Sequence, residues 1–255
     1  MSAGWVAGSV RARAMVRSRM DAGVARRLAA CDSLADALRL LAATPYGTNI
    51  RHDQTLAAAQ HEVAGALLWD LRVLAGWLPR DGVRLLRTLG GWFEIANVDE
   101  LLQSIAGRPA GPEFRLGALA TAWPQLAQAA NVGELRTALA ASAWRDPGQP
   151  TARAIRLGMR SRWTAQIAEL GEPARTWAAD AAALLVPNEA DWRAETTLMA
   201  RVEQDGLRLL RAPGLDRGVV LGAAAVMACR AWRIRAALEL AARGGAPVEA
   251  FDELG

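Results

Sequence analysis

"WFEIANVDELLQ", residues 92 to 103, sets two aromatic residues against an acid, an isoleucine and an asparagine, ahead of a leucine-bearing helical segment. An acid and an amide among apolar residues need a reason, because burying either without partners is costly. Helix capping supplies one. Asn97 is a good N-cap for "VDELLQ", with Glu100 three residues on, as in a capping box. Trp92, Phe93 and Ile95 then anchor the preceding turn in the core. The acidic cluster Glu94, Asp99 and Glu100 gains from the positive end of the helix dipole. The pattern predicts a helix that starts beside Asn97 at a fixed angle.

Helical periodicity extends in both directions from this stretch. Residues 53 to 78 place Leu56, Val63, Leu67, Leu71, Leu74 and Leu78 on one face. Residues 151 to 170 do the same with Ile155, Met159, Trp163, Ile167 and Leu170, and residues 116 to 126 with Leu116, Leu119, Trp123 and Leu126. Such stripes are the core faces of packed helices. Alanine, leucine and arginine are abundant, β-branched residues rarely alternate with polar ones, and no strand pair or hairpin signal stands out. The expected fold is all-α. Asp32 or Ser33 is expected to cap a helix that ends before Pro45, "YGTN" to form a turn, and Asp53 to cap the next helix. "WLPRDG" (77–82) and "AGRPAGPEF" (106–114) read as loops, and "WRDPGQP" (144–150) as a linker between halves.

Two internal similarities matter more. "CDSLADALRLLAATPYG" (31–47) and "ANVGELRTALAASAWRD" (129–145) each open on a capping residue, Ser33 or Asn131, with an acid three residues on, Asp36 or Glu134. Each then reaches Leu-Ala-Ala, a hydroxyl residue (Thr44 or Ser142) and an aromatic (Tyr46 or Trp144). "FEIANVDELL" (93–102) and "WRIRAALELA" (232–241) both run aromatic, charge, isoleucine, and then carry a helix on to Gly107 or Gly244. The second copy, from Trp232, lacks the acid and the amide. These pairs predict a single all-helical domain built from pseudo-repeated helical units, each ending in a similar turn.

Composition excludes several function classes. Apolar residues make up 52% of the 255, so the chain has material for a sizeable core. All 30 basic residues are arginine, set against 26 acids, for a net charge of +4. The acids are interspersed, unlike the single-sign stripe of a nucleic-acid binder. Cys31 and Cys229 form no disulfide framework or zinc pattern. His52 and His61 lack metal-ligand spacing, "GWVAGS" lacks the lysine of a phosphate loop, and no GxSxG elbow occurs. No catalytic, metal or cofactor site is expected. The most apolar run, "GVVLGAAAVMAC" (218–229), is 12 residues long and reads as a buried core helix, because a membrane span needs about 20. The N-terminus lacks the continuous apolar stretch of a signal peptide.

These segments, in their order along the chain, resemble one family of archaeal/vacuolar-type rotary ATPase components: the C-type rotor subunits, whose vacuolar counterparts are the d-type subunits. "WVAGSVRARAMVRSRM" resembles the family's N-terminal helix, "DSLADALRLLAATPY" its first unit, and "FEIANVDELL" its aromatic-acid-Ile-x-Asn-Leu segment. "VVLGAAAVMACRAWRIRAALELAARGGAPVE" resembles its final long helix and Gly-x-Pro turn. The family's last helix usually carries Lys and Glu near Cys229 to Ala231 and an Asn near Ile234; this chain departs there, and it is shorter than usual.

The resemblance implies a funnel-like, non-catalytic part of the central rotor made of three related helical subdomains: a first unit over roughly 1–110, a middle unit over 111–186, and a last unit over 187–255 that closes against the first. It would lie on the cytoplasmic face of the membrane proteolipid (c/K) ring, receive the central-shaft subunits (D/F type), and transmit torque without cofactors or nucleic acid. Arg11, Arg13, Arg17 and Arg19 are the expected exposed basic helix face for a partner. The competing readings are an Arg-driven nucleic-acid or regulatory module and a helical enzyme with an acidic site near Glu94 and Asp99.

Overall fold

A computed structural model describes residues 2–18, 22–184 and 192–245. Among them the regular structure is helical throughout: α1 (Ala3–Ser18), α2 (Ala22–Ala29), α3 (Leu34–Ala42), α4 (Leu56–Ala75), α5 (Arg80–Ile105), α6 (Trp123–Leu126), α7 (Val132–Ala140), α8 (Ala152–Ala168), α9 (Ala174–Leu184), α10 (Trp192–Arg211) and α11 (Arg217–Ala242). Short 3₁₀ turns occupy Gly47–Asn49 and Gly117–Leu119. The chain divides into two compact units, residues 1–77 with 192–255, and residues 78–191. The last segment therefore packs with the first. The expected boundary near residue 110 instead falls inside the second unit, and so does the 144–150 segment expected as a linker.

In the first unit, α11 is the central helix. Residues 219 to 227 are all buried, because this run of Val, Leu, Ala, Gly and Met offers no polar face. Helices α1, α2, α3, α4 and α10 pack around it. One core joins Leu28, Leu38, Leu41, Tyr46 and Val63 to Ile234 and Leu238. The α10–α11 crossing is tight. A Cβ on Gly206 would come within 2.9 Å of the Gly222 carbonyl oxygen, and one on Gly222 within 2.6 Å of the Gly206 oxygen. Only glycine permits backbones to approach so closely.

The same helices hold a nearly buried Arg233–Glu203 ion pair. Beside it, burial pushes the Cys229 thiol up to about 12, with the Glu203 carboxylate adding to the effect. Thr55, not Asp53, caps α4, accepting from the Ala58 amide at 3.2 Å.

In the second unit, α5 is the spine. It starts at Arg80 with Pro79 at its cap, earlier than the expected loop over 77–82 allowed. No proline interrupts Arg80–Ile105, and its glycines, Gly82, Gly90 and Gly91, are held within the helix, which runs through Asn97 without interruption. The expected new helix at 97/98 is therefore absent. Past Ile105 the chain exits through Gly107 at φ +69°, a conformation that suits glycine. Residues 106 to 122 are largely irregular and run back along α5, burying Leu116 and Leu119. The expected helical stripe over 116–126 is instead a 3₁₀ turn and the short α6, although Leu126 is buried with the other two. Helix α8 packs on α5, and α9 on α8. Ile95, Val98, Leu102, Leu135, Leu139, Ile155 and Met159 form this unit's core, together with Trp144.

Candidate functional site

Four side chains of α5 tie down the irregular segment that follows it. Glu94, with 0% of its surface exposed, accepts from the Thr121 amide (2.6 Å), the Ala122 amide (2.8 Å) and the Trp144 indole N–H (2.6 Å). One turn on, Asn97 pairs twice with Phe114: its Oδ1 accepts from the Phe114 amide at 2.7 Å, and its Nδ2 donates to the Phe114 carbonyl at 2.9 Å. Glu100 accepts from the Gly111 amide at 2.5 Å. Arg87 donates to the Ala118 carbonyl from Nε (3.3 Å) and Nη2 (3.0 Å).

The chemistry follows from backbone satisfaction. A long segment without helix or sheet leaves its amides without partners, and where that segment is buried the amides must find acceptors elsewhere. The acid and the amide in "FEIAN" supply them. Glu94 is thus a structural acceptor whose two oxygens already take three donors, not a general base open to a substrate. The macrodipole reading of Glu94, Asp99 and Glu100 also fails, because all three sit past the midpoint of α5. Asn97 caps no helix. Its amide side chain mimics a backbone pair instead.

Asp99 faces the other way, toward α8. It accepts from Arg156 Nε at 2.7 Å and contacts Arg160 Nη2 at 3.4 Å. The Arg160 guanidinium lies 5.7 Å from the centre of the Trp92 ring, and Trp92 lies 5.5 Å from Trp163. Trp163 in turn donates to the Thr88 carbonyl at 2.9 Å. A Cβ on Gly91 would meet Trp163 Cδ1 at 2.9 Å and Trp144 Cη2 at 3.2 Å, so α5 needs a glycine where both rings pack. Phe93 and Ile95 are buried as expected, Phe93 edge-on to Phe114 at 5.1 Å. Trp92 is not a core anchor; it is 40% exposed.

The repeated exit turns have matching hydrogen bonds. In α3, Ser33 accepts from the Asp36 amide; at the far end Thr44 Oγ1 donates to the Leu41 carbonyl (2.6 Å) and accepts from the Tyr46 amide (3.3 Å). In α7, Asn131 accepts from the Glu134 amide; Ser142 Oγ donates to the Leu139 carbonyl (2.8 Å) and accepts from the Trp144 amide (3.1 Å). Tyr46 and Trp144 are both buried. A threonine-capped helix follows each turn, α4 after Thr55 and α8 after Thr151. The "FEIAN" counterpart differs in chemistry. Trp232 donates to Glu195 Oε1 at 2.8 Å, and Arg233 stands where Glu94 stands, paired with Glu203.

The expected basic face of α1 is divided. Arg11 and Arg17 are exposed. Arg13 turns inward: Nε donates to the Leu210 carbonyl (3.1 Å), and Nη2 to the carbonyls of Ala212 (2.6 Å) and Gly214 (3.0 Å). It closes the C-terminal end of α10, where carbonyls lack helical donors. Arg19 lies outside the described residues. No sequence signal linked Arg13 to carbonyls about 200 positions away.

A surface hollow of about 440 Å³ is lined by Arg39, Ala42, Ile50, Arg51, His52 and Asp53. Its two arginines are paired with carboxylates, Arg39 with Asp36 and Arg51 with Asp53. Among the described residues no group of three His, Cys, Asp or Glu side chains is placed to hold a metal ion, and no helix is long and apolar enough to cross a membrane. No known family model matches the chain, and no curated protein matches it.

Proposed function

We propose that the chain is a non-catalytic central-rotor adaptor of a V/A-type rotary ATPase. In this reading it links the membrane proteolipid ring to the central-shaft subunits, peripheral to the cytoplasmic face of the membrane. The observation that carries the reading is the "FEIAN" segment: one of the stretches in which the chain resembles the family uses its acid and amide to lock an irregular segment onto α5. A part that transmits torque has to resist shear. Buried, fully paired polar contacts and close-packed helices provide that resistance. The matched exit turns around Thr44 and Ser142 fix the direction of the chain after each capped helix in the same way.

The reading is tested by affinity purification of the full chain, expressed at its native level, from gently solubilised membranes. Recovery of proteolipid and shaft subunits in a fixed ratio supports the assignment. Recovery of the chain alone from cells that contain a V/A-type ATPase overturns it.

A further inference from the structure

We infer that the α5–α8 face of the second unit docks an acidic segment of a protein partner, with a partner carboxylate seated on Arg160 and Arg153 beside Trp92. The inference goes beyond the rotor reading and does not depend on it, since it concerns one face of one unit.

The sequence sets up an imbalance of charge. Helix α8 carries Arg153, Arg156, Arg160 and Arg162 and no acid. The first three are spaced three and four residues apart, so they line one face. On α5 the acids are divided among tasks. Glu94 and Glu100 hold the 106–122 segment, Asp81 lies in the first turn, and Asp99 meets α8. Arg162 turns away to the Ala143 carbonyl and Glu169. Among the described residues no arginine of α8 pairs with an acid of α9.

One carboxylate therefore serves two guanidiniums. Arg156 takes the better share, its Nε 2.7 Å from Asp99 Oδ1. Arg160 has a single long contact, 3.4 Å from Nη2 to Asp99 Oδ2, and its Nε is buried without a hydrogen-bond partner. Its Nη1 lacks a partner too, but is not buried. A guanidinium carries a fork of donors, and Arg160 uses one of them. Arg153, one turn before Arg156, is exposed and without a partner among the described residues. The side chains of Asp99, Arg156 and Arg160 are only 27%, 29% and 33% exposed, so water screens the surplus positive charge less than it would on an open surface.

The same Arg160 guanidinium lies 5.7 Å from the Trp92 ring centre, and Trp92 is 40% exposed. These distances bring Trp92, Asp99, Arg156 and Arg160 together at one place. Tryptophan and arginine are the side chains that carry most binding energy at protein interfaces. The ledge already accommodates one carboxylate, that of Asp99, and a second has the chemistry that Arg160 Nη1 and Arg153 can meet. A free anion on an open ledge stays largely hydrated. A partner segment that covers Trp92 drives water out and strengthens the ion pair as it docks. A nucleic-acid backbone asks for several phosphates to be neutralised along its track, which three arginines with an acid among them do not supply.

The test is NMR titration of the full chain with a short glutamate homopeptide in about 0.15 M salt. The matching glutamine homopeptide, inorganic phosphate and a thymidine oligonucleotide are titrated in parallel. The glutamate peptide is expected to shift the Trp92 indole and Arg160 Nε–H signals and to leave the Trp69 indole, an exposed ring beside Arg72 in the other unit, where it was. The glutamine peptide should shift neither. Arg160→Gln, which leaves the Arg156–Asp99 pair in place, should weaken binding about tenfold once its melting curve matches wild type. Arg153→Gln alters an exposed, unpaired residue, folds as wild type does, and should weaken binding about threefold. Arg217→Gln, exposed in the first unit, should leave it unchanged. A Trp92 signal that does not move overturns the proposal, as does an equal shift at Trp69 or unchanged binding in either ledge variant. Tighter binding of phosphate or the oligonucleotide at the same signals also overturns it, because the ledge would then serve a different ligand.

Discussion

Replacing Glu94 with glutamine tests the latch on α5 most sharply. The side chain keeps its shape, and one oxygen still meets the Ala122 amide and the Trp144 indole N–H. The other oxygen becomes an amide nitrogen facing the Thr121 amide, where the acceptor stood at 2.6 Å. One charge-assisted hydrogen bond is lost, two donors oppose each other, and the two remaining bonds lose their charge. At about 1.5–3 kcal/mol for a bond to a charged group, plus part of an unmet donor's desolvation, the cost is about 2–4 kcal/mol. That corresponds to a fall of about 5–15 °C in the melting temperature of the transition that unfolds this unit. Trp144→Phe removes one donor and should cost less, about 1–2 kcal/mol, with the double variant less destabilised than the sum because the two partners are coupled. Differential scanning calorimetry reads the stability. Hydrogen exchange reads the location: amides in 106–122 should exchange faster in Glu94→Gln, while those in α3 stay as they were. A Glu94→Gln protein within about 0.5 kcal/mol of wild type, with unchanged exchange at Thr121 and Ala122, would refute the latch.

Three further outcomes follow from the same geometry. Arg13→Ala should cost about 1–3 kcal/mol in urea unfolding, since three carbonyls at the end of α10 lose a charged donor; Arg13→Lys should recover only part, because an ammonium cannot reproduce the fork. Thr44→Val and Ser142→Ala should each cost about 1 kcal/mol, in different units, because each hydroxyl both donates and accepts in its exit turn; a large loss at one and none at the other would separate the two turns. Asp146 should titrate by NMR at about 2, held low by its hydrogen bonds from Arg136 and then from the Gly148 amide. The folded value lies below the unfolded one, so its contribution is present above about pH 4 and lost as pH falls through about 2. Arg136→Ala should move the midpoint back toward the ordinary carboxylate range.

The helices were legible wherever capping and periodicity agreed. Ser33 and Asn131 cap where they were expected, and the stripes over 53–78 and 151–170 became α4 and α8. The same logic misled at Asn97, where a good capping residue sits in mid-helix. The clue was available in the register: Leu86, Gly90, Glu94, Asn97 and Leu101 recur at helical spacing, and no proline interrupts 80 to 105. Read that way, the acid and the amide fall on the apolar face and demand partners. Which partners they take, Phe114, Thr121, Ala122 and Trp144, was not legible, because an irregular segment has no period to align it against a helix. Arg13 illustrates the same limit over a longer span: the carbonyls it closes lie at the far end of a different helix, and an arginine's own neighbours do not reveal such a contact. Asp53 was overtaken by Thr55, two residues nearer the helix, whose hydroxyl reaches the Ala58 amide.

The central claim is that the chain passes force between partners without performing chemistry itself. The most direct measurement is the ratio of ions transported to ATP hydrolysed in membrane vesicles from cells with and without the chain. The account predicts that removing it leaves ATP hydrolysis by the catalytic head largely in place while ion transport collapses, and that adding the purified chain back restores the ratio. An unchanged ratio in its absence would contradict it.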